Sequence, residues 1–455
     1  MPNPRGVGAA SALAALLQHT KPSPRSEDLE VARALVEYAG SRFSAVPHAR
    51  WEQLPLTFLD RHRIASVVPD AWVPDEQVEE VIARREAVAL LQMRLEAALL
   101  DSVCALDRAG IPSRVLKGLA SAALDYPYPE LRHAGDVDLL VPPDCLRAAG
   151  GALRAIGYEP LPEQMLLSWS RGLTMVAPNG AHVDLHCRLL YRSPRGVDHF
   201  AEEGDPLGDG TACALTRPWR LAHAAAHAVV TEPRSRRLSG FLDVALLQSL
   251  VDDLAATKEA AASLRAEAMV ARGLEAVGVR PNEWRRPSAL ERFAYEDERW
   301  YRLTGRVWRD RWATPWRVVH GRVARKRIGP VSGADLGELG APSPPAGCDG
   351  RGHGKSRGDA FERNPEVRQR HVGATVLLLE PRSDHAISLD GVGAHVWHRL
   401  AECASLDELL GPWLDRNGDE ADARRDEMES FLESMERDGF TRRARAGGEV
   451  RSALE

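Results

Sequence analysis

The sequence predicts an α+β protein, and three patterns along its 455 residues support that prediction. Apolar residues recur at three- and four-residue spacing before residue 110, which is typical of amphipathic helices. Short apolar segments and one alternating segment follow, which predict a small mixed sheet with further helices after it. A stretch rich in Gly, Pro and Ser then separates this part from a short C-terminal segment. A chain of this length is long enough for two or three domains.

Residues 1–110 are predicted to form a helical N-terminal region. The clearest pattern covers residues 75–108, where apolar residues repeat with the period of a helix, and Gly110 then ends the pattern. We expect this region to belong to the same domain as the sheet that follows it.

Residues 111–310 are predicted to hold the sheet and its C-terminal helices. Asn179-Gly180 lies between two alternating apolar runs, which is the strongest short-range signal of a β-hairpin. The predicted elements are a strand at 111–116, a short helix at 119–126, a strand at 135–142, an amphipathic helix at 143–156, the hairpin at 173–190 and helices from about 215 to 305.

Composition changes sharply at about residues 328–365, a segment that includes the run GPVSGADLGELGAPSPPAGCDG. Such a segment buries too little apolar surface to fold, so it is predicted to be a linker. Residues 366–443 follow with two strand patterns, ATVLLLE and HAISLD, and then three helix patterns. This order predicts a small winged-helix-like domain.

Composition also excludes some classes of protein. The net charge of -6 and the pI near 6.2 argue against a general nucleic-acid-binding surface. No run of eighteen apolar residues occurs, so no membrane partner is expected. The six cysteines form no CxxC pair, which argues against a zinc knuckle or a disulfide framework. We therefore expect reduced thiols and a cytoplasmic protein.

The predicted strand at 135–142 carries two aspartates, Asp136 and Asp138. Side chains two positions apart on a strand lie on the same face, so the two carboxylates face one side while Val137 and Leu139 face the core. Carboxylate oxygens are the ligands that Mg²⁺ prefers. Both aspartates are therefore predicted to be metal ligands and catalytic residues.

The hairpin offers a third carboxylate. His182, Asp184 and His186 alternate with apolar residues and so share one face of the second hairpin strand. If the hairpin packs beside the first strand, Asp184 joins Asp136 and Asp138 as a catalytic metal ligand. Three carboxylates can hold two Mg²⁺ ions, which clamp both oxygens of a phosphoryl displacement. The histidines are interpreted mainly as structural.

Lys117 and Gly118 lie between a predicted strand and a predicted helix. A glycine there lets the backbone approach phosphate groups, and the helix N-terminus favours negative charge. Lys117 and Arg132 can each place a cation on a triphosphate. The three residues are predicted to bind a nucleoside triphosphate, with Lys117 alternatively a simple charge at the strand end.

The run LKGLASAALDYPYPELRHAGDVDLLV, followed by HVDLHCRL, resembles the nucleotidyltransferase-like family of DNA polymerase β-type fold. The resemblance covers about residues 8–310. It implies that fold, with Mg²⁺-dependent transfer of a nucleotidyl group from a nucleoside triphosphate. The chain departs from the wider superfamily after Gly118, where Leu119 stands in place of a second glycine or a serine.

Three later residues, His223, His227 and Asp243, also match the helices of this family. Two histidines four residues apart on a helix have a spacing that can suit a metal. No third ligand follows in the pattern, so we expect the histidines to pack or to hydrogen-bond to Asp243.

The last segment, ATVLLLEPRSDHAISLDGVGAHVWHRLAE, resembles the PqqD-like domain through Leu389-Asp390, Gly393 and Trp397. The resemblance implies recognition of the leader segment of a ribosomal precursor peptide, which adds as a strand to a sheet edge. Trp397 and most apolar residues of such a pattern are more often part of a hydrophobic core. The predicted peptide-binding residues are Val376, Leu378 and Ile387 on the strands and Phe431, Leu432 and Met435 on the last helix.

Together, these features predict a metal-dependent nucleotidyltransferase of ribosomal (lasso-type) peptide biosynthesis. It would transfer a nucleotidyl or phosphoryl group to a precursor peptide that is held by its leader. One alternative keeps the enzyme but makes the acceptor a small molecule or a nucleic-acid end. The other is a catalytically degenerate scaffold that serves as a peptide-binding adaptor.

Overall fold

The computed structural model divides the chain into two compact units, residues 1–336 and 337–455. None of the helices in the described part of the chain is long and apolar enough to cross a membrane. The residues that the structure describes are 12–18, 24–47, 51–161, 172–190, 199–200, 203–230, 236–279, 284, 360–402, 404–406, 408–410 and 421–443.

The first unit begins with helices, as the sequence predicts. The longest helix in the described part of the chain, α4, has 31 residues and ends at Arg108, and Gly110 follows with a φ of 68° that allows the chain to reverse. Short 3-10 turns connect α3 to α4. The helices are α1 (residues 12–17), α2 (Ser26–Gly40), α3 (Leu56–His62) and α4 (Val78–Arg108).

A seven-stranded mixed sheet lies at the centre of the first unit, in the order β3-β4-β5-β2-β1-β7-β6. The pairs β2–β5 and β1–β7 are parallel, and the others are antiparallel. The strands are β1 (Arg114–Leu116), β2 (Val137–Leu140), β3 (Glu159–Pro160), β4 (Gly172–Val176), β5 (His182–His186), β6 (Asp205–Leu207) and β7 (Ala212–Ala214).

The predicted hairpin is confirmed as β4 and β5. Gly180 at the turn has a φ of 79°, and its amide donates to the carbonyl of Ala177. The Asn179 side chain accepts a hydrogen bond from the Ala181 amide at 3.1 Å. An Asn-Gly pair favours this turn because both residues tolerate positive φ. The turn therefore sets the register that places Asp184 on β5.

Each face of the sheet packs on a different hydrophobic core. Val137 and Leu139 of β2 are fully buried in the core that α4 and α6 (Leu146–Ala155) cover. Leu140 and Leu116 belong to the other core, together with the C-terminal helices. These are α7 (Arg217–Val230), α8 (Leu238–Ser249), α9 (Ala255–Ser263) and α10 (Glu267–Ala276). The rest of the predicted helical stretch beyond residue 279, Trp284 apart, lies outside the described residues.

The second unit contains two three-stranded sheets, ordered β11-β10-β9 and β12-β8-β13. Its core surrounds Trp397, which is 1% exposed and donates from Nε1 to Gln369 Oε1 at 2.7 Å. The elements are β8 (Ala360–Arg363), β9 (Arg368–Val372), β10 (Thr375–Glu380), β11 (His385–Leu389), α11 (Gly391–Arg399), β12 (Ala404–Ser405), α12 (Ala421–Arg437) and β13 (Thr441–Arg443).

Two boundaries of the predicted C-terminal organisation need correction. Strand β8 lies inside the predicted linker 328–365, because it pairs with β12 and β13, which come about 40 and 80 residues later. The folded unit therefore includes residues from 360 onward, and residues 328–359 lie outside the described part. The predicted middle helix is helical at residues 408–410, and residues 411–420 are also outside the described part.

One buried histidine joins the N-terminal helices to the C-terminal helices. His62 is 1% exposed, and its Nδ1 accepts the amide of Leu238 at the start of α8 at 2.9 Å. Burial, together with the nearby Arg61 cation, lowers the pKa of His62 to about 4. A histidine with a depressed pKa stabilises the fold above pH 6.5, and this contribution is lost as the pH falls towards 4.

This contribution can be measured with His62→Asn, whose amide oxygen can still accept the Leu238 amide. Between pH 7 and pH 5, we expect wild type to lose about 2 kcal/mol more unfolding free energy than the variant. Urea unfolding followed by circular dichroism at both pH values measures the difference. Replacement of the exposed His182 by Asn is the matched control. An equal loss in wild type and His62→Asn would contradict the assignment.

Candidate active site

The pairing of β2 with β5 brings the predicted aspartates of two separate segments together. Asp138 and Asp184 are direct partners in the parallel register, and Thr174 on β4 is the next partner along. The Thr174 hydroxyl donates a hydrogen bond to Asp184 Oδ1, which orients that carboxylate. The hairpin therefore packs beside β2, as the third-carboxylate hypothesis requires.

Asp138 is the most buried of these carboxylates, with 3% of its surface exposed. Its Oδ1 accepts hydrogen bonds from Lys117 Nζ and His186 Nε2, each at 2.6 Å. Burial alone would raise the pKa of Asp138, but Lys117 and His186 together hold it far below its usual value. Asp138 is consequently ionised at neutral pH, as a metal ligand must be.

Lys117 is the first residue of α5 (Lys117–Leu124) and has a φ of 50°. Positive φ is uncommon in a residue other than glycine, and here it turns the lysine towards Asp138. Burial would lower the pKa of Lys117, but Asp138, Asp136 and Asp184 raise it above its usual value. The strand-to-helix position predicted for Lys117 is confirmed, and its ammonium is a fixed cation beside the carboxylates.

Asp138, Asp184 and His186 offer ligand atoms that lie within 4.8 Å of one another, close enough to hold one metal ion. Two carboxylates suit Mg²⁺ or Mn²⁺. The His186 imidazole would add a nitrogen ligand that favours Mn²⁺ or Zn²⁺ over Mg²⁺, with the metal taking the place of the proton that Nε2 shares with Asp138. The sequence assigned no ligand role to His186. Its signal was the two-residue spacing from Asp184, which places both side chains on one face of β5.

Asp136 lies just before β2 and outside this close group of three. It is half-buried and lines the cavity described next. Burial and the neighbouring Asp138 charge raise its pKa. A divalent cation beside Asp136 would relieve that repulsion, so the residue fits a second or shared metal position. Its role as a ligand stays a prediction.

A cavity of about 230 Å³ opens beside these carboxylates, between the sheet and helices α7 and α8. Its lining has more cationic than acidic side chains. The cations are Arg63, Lys117, Arg132, Arg220, Arg236 and Arg237, and the acids are Asp136, Asp138 and Asp243. Such a surplus of positive charge suits an anionic ligand.

Arg132 occupies a different place from the one predicted for a phosphate contact. Its guanidinium binds both oxygens of Asp243, at 2.6 and 2.7 Å, and Tyr126 donates to the same carboxylate at 2.9 Å. Asp243 therefore has its partners without His223 or His227, and the expected hydrogen bonds to these histidines do not form. The expected packing does occur, since the two rings lie 5.8 Å apart.

Gly118 permits a close approach that any other residue would hinder. A Cβ at this position would lie 3.0 Å from Cβ and 3.3 Å from Cα of Ala134. The start of α5 thus packs directly on the segment that leads into Asp136. In the structure, Gly118 allows this backbone contact. Its contact with phosphate stays a prediction.

The sheet, the paired carboxylates and the cationic cavity define a protein of the nucleotidyltransferase class. A family model described as "uncharacterised nucleotidyltransferase" matches residues 49–278, half of the chain. The chain belongs to this family, which supports transferase activity. The match includes the whole seven-stranded sheet and stops before the second unit. No curated protein and no solved structure matches the chain.

Gly118 and Gly151 form a matched pair for testing the close contact. Gly118→Ala should destabilise the protein by about 1–3 kcal/mol, because the added methyl overpacks against Ala134. Gly151, exposed on α6, has open space around its Cα, so Gly151→Ala should stabilise by about 0.5–1 kcal/mol. Urea unfolding of both variants checks the opposite signs. Equal effects would contradict the contact.

Proposed function

We propose that this protein is a metal-dependent nucleotidyltransferase that uses a nucleoside triphosphate. The observation that carries the proposal is the cluster of Asp138, Asp184 and His186 beside a cationic cavity. Asp136, Asp138 and Asp184 would hold Mg²⁺. When bound, the metal neutralises phosphate charge and polarises the bond that breaks.

The transfer itself needs few groups on the protein. An acceptor oxygen forms a bond to the α-phosphorus, the bond between that phosphorus and the β-phosphate oxygen breaks, and pyrophosphate leaves. The acceptor proton passes to solvent. Lys117, fixed beside Asp138, places a cation near the reacting phosphate, and Thr174 keeps the Asp184 carboxylate oriented. Positioning and charge stabilisation supply most of the catalysis in such reactions.

We further propose that the acceptor is a ribosomal precursor peptide, in a lasso-type or related pathway of the cytoplasm. Support comes from the PqqD-like pattern and from the second unit, where a three-stranded sheet precedes a helix that contains Gly393 and Trp397. The sheet ends in strands β9 and β11, and a leader peptide could add to such an edge. Because both units belong to one chain, binding of the leader would raise the effective concentration of its core peptide.

The structure narrows the set of predicted peptide-binding residues. Val376, Leu378, Leu432 and Met435 lie in the core of the second unit with at most 2% of their surface exposed. They stabilise the fold and present almost no surface to a peptide. Ile387 and Phe431 are half-buried at the margin of that core, so they are the members of the set that fit the proposal.

The two alternative functions differ from this proposal in whether they need the metal, the nucleotide and the leader peptide. A small-molecule or nucleic-acid acceptor keeps the metal cluster and needs no leader peptide. A degenerate adaptor keeps the peptide and needs no metal or nucleotide. The close grouping of Asp138, Asp184 and His186 favours the enzyme over the adaptor. Two experiments separate these functions.

The metal-dependent function can be tested with Asp138→Asn. Wild type should bind a nucleoside triphosphate in Mg²⁺ or Mn²⁺ and lose most of that affinity in EDTA, as calorimetry would measure. In Asp138→Asn, binding should no longer depend on the metal, and pyrophosphate release should fall at least about 100-fold, since several kcal/mol of charge stabilisation are lost. The exposed Asp144→Asn is the control. Unchanged metal dependence and turnover in Asp138→Asn would refute the enzyme.

The peptide-binding role can be tested with Ile387→Glu in the full chain. Fluorescence anisotropy with labelled leader peptides, encoded by precursor genes beside this gene, should show at least about tenfold weaker binding. Val392→Glu, at an exposed position of α11 in the same unit, should bind as wild type does. If wild type binds none of these peptides, or Ile387→Glu binds as well as wild type, the leader-recognition role fails.

A further inference from the structure

Most of the cations that line the cavity already have partners. Lys117 is paired with Asp138, and Arg132 is paired with Asp243. Arg220, 6% exposed, binds Asp125 at 2.7 Å and also contacts Asp205. Arg236 donates to two backbone carbonyl groups, those of Leu16 and Val229. Arg132, Arg220 and Arg236 therefore serve mainly to hold the fold around the cavity, while Lys117 stays beside the carboxylates of the candidate metal site.

Arg63 and Arg237 differ from these four. Within the described part of the chain, neither side chain forms a hydrogen bond or an ion pair. The charge of Asp136 nevertheless acts to raise the pKa of both guanidinium groups. Arg63 packs over Gly135, the residue directly before Asp136. Burial and repulsion from Arg237 lower the pKa of Arg63 to about 10, so the two cations oppose each other.

The backbone holds these two arginines together. Arg63 follows α3 with a φ of 55°, and Arg237 immediately precedes α8. The residues beside them, His62 and Leu238, are joined by the 2.9 Å hydrogen bond from the Leu238 amide to His62 Nδ1. Two like charges are thus fixed near each other at the N-terminus of a 12-residue helix, where the helix dipole also favours an anion.

A second, independent observation also points to a ligand in this cavity. His223 on α7 is 3% exposed and lines the cavity, and its Nε2 is buried without a hydrogen-bond partner. Burial and the neighbouring His227 lower the pKa of His223 well below its usual value, so the ring is neutral. A buried polar atom without a partner is costly, and a ligand atom in the cavity would satisfy it.

We propose that Arg63 and Arg237 bind the phosphate chain of the nucleotide, so that the helical N-terminal region forms part of the active site. The inference rests on the proposed function and adds two residues that bind the substrate. A guanidinium group can donate two hydrogen bonds to the oxygens of one phosphate group. Two guanidinium groups beside Asp136 therefore suit a chain of phosphates that also binds the metal. Phosphate binding replaces the repulsion between the arginines with attraction.

Calorimetry with inorganic tripolyphosphate in EDTA tests the arginines without metal or catalysis. Arg63→Gln and Arg237→Gln should each weaken binding about tenfold or more, and the double variant further, because charge-assisted hydrogen bonds are lost. Arg33→Gln, which removes an exposed pairing with Glu37 on α2, should bind as wild type does. Arg63→Lys should recover part of the affinity of Arg63→Gln.

Two further measurements separate a binding role from a structural one. The thermal unfolding midpoint should stay the same or rise in both glutamine variants, since each change removes a repulsion and breaks no hydrogen bond. Fold maintenance by these arginines would lower the midpoint instead, which would overturn the inference. The apparent KM for the nucleotide should rise in the same variants.

The outcomes also distinguish this inference from the proposed function. If the double variant binds tripolyphosphate as tightly as wild type, or if wild type does not bind it, Arg63 and Arg237 do not bind the phosphate chain. This conclusion would hold even if nucleotidyl transfer is observed. If tripolyphosphate binding depends on both arginines but no nucleotide is turned over, the anion site stands and the proposed function fails.

Discussion

The parallel pairing of β2 with β5 is the constraint on which the candidate site depends. It makes Asp138 and Asp184 direct neighbours although 46 residues separate them in the sequence. Backbone hydrogen bonds and the buried apolar residues Val137, Val183 and Leu185 fix this register. A slip of one residue in either strand would turn the carboxylate of that strand into the apolar core, so the hydrophobic pattern that builds the sheet also positions the charged residues.

Much of this part of the fold could be predicted because it depends on local patterns. Alternation of apolar and polar residues identified the face of β2 that carries Asp138, and Asn179-Gly180 identified the hairpin. Strand β8 escaped prediction, since four residues after a long Gly- and Pro-rich stretch carry little signal until their distant partners are known. Sheet pairing over long separations is decided by tertiary packing, which local patterns do not contain.

The candidate site shows the same division. Asp138 and Asp184 could be named from their spacing, and Lys117 from its place between strand and helix. The partner of Arg132 could not be predicted, because Asp243 lies 111 residues away and contacts Arg132 only after α8 packs on the sheet. Arg63 and Arg237 were missed for a related reason. Arginines are abundant here, and only the folded arrangement separates those with partners from those without.

In the described part of the second unit, the first and last strands lie in the same sheet, since Arg363 of β8 pairs with Thr441 of β13. During synthesis, β8 leaves the ribosome long before its partner exists. Nearly eighty further residues must be made before β8 can form its hydrogen bonds with β13. Contacts of such long separation slow folding, because the loop must close before any of its energy is recovered. This sheet of the second unit therefore forms completely only after Thr441 has been made, and a nascent chain released before Thr441 would leave one edge of β8 without its partner and open to aggregation.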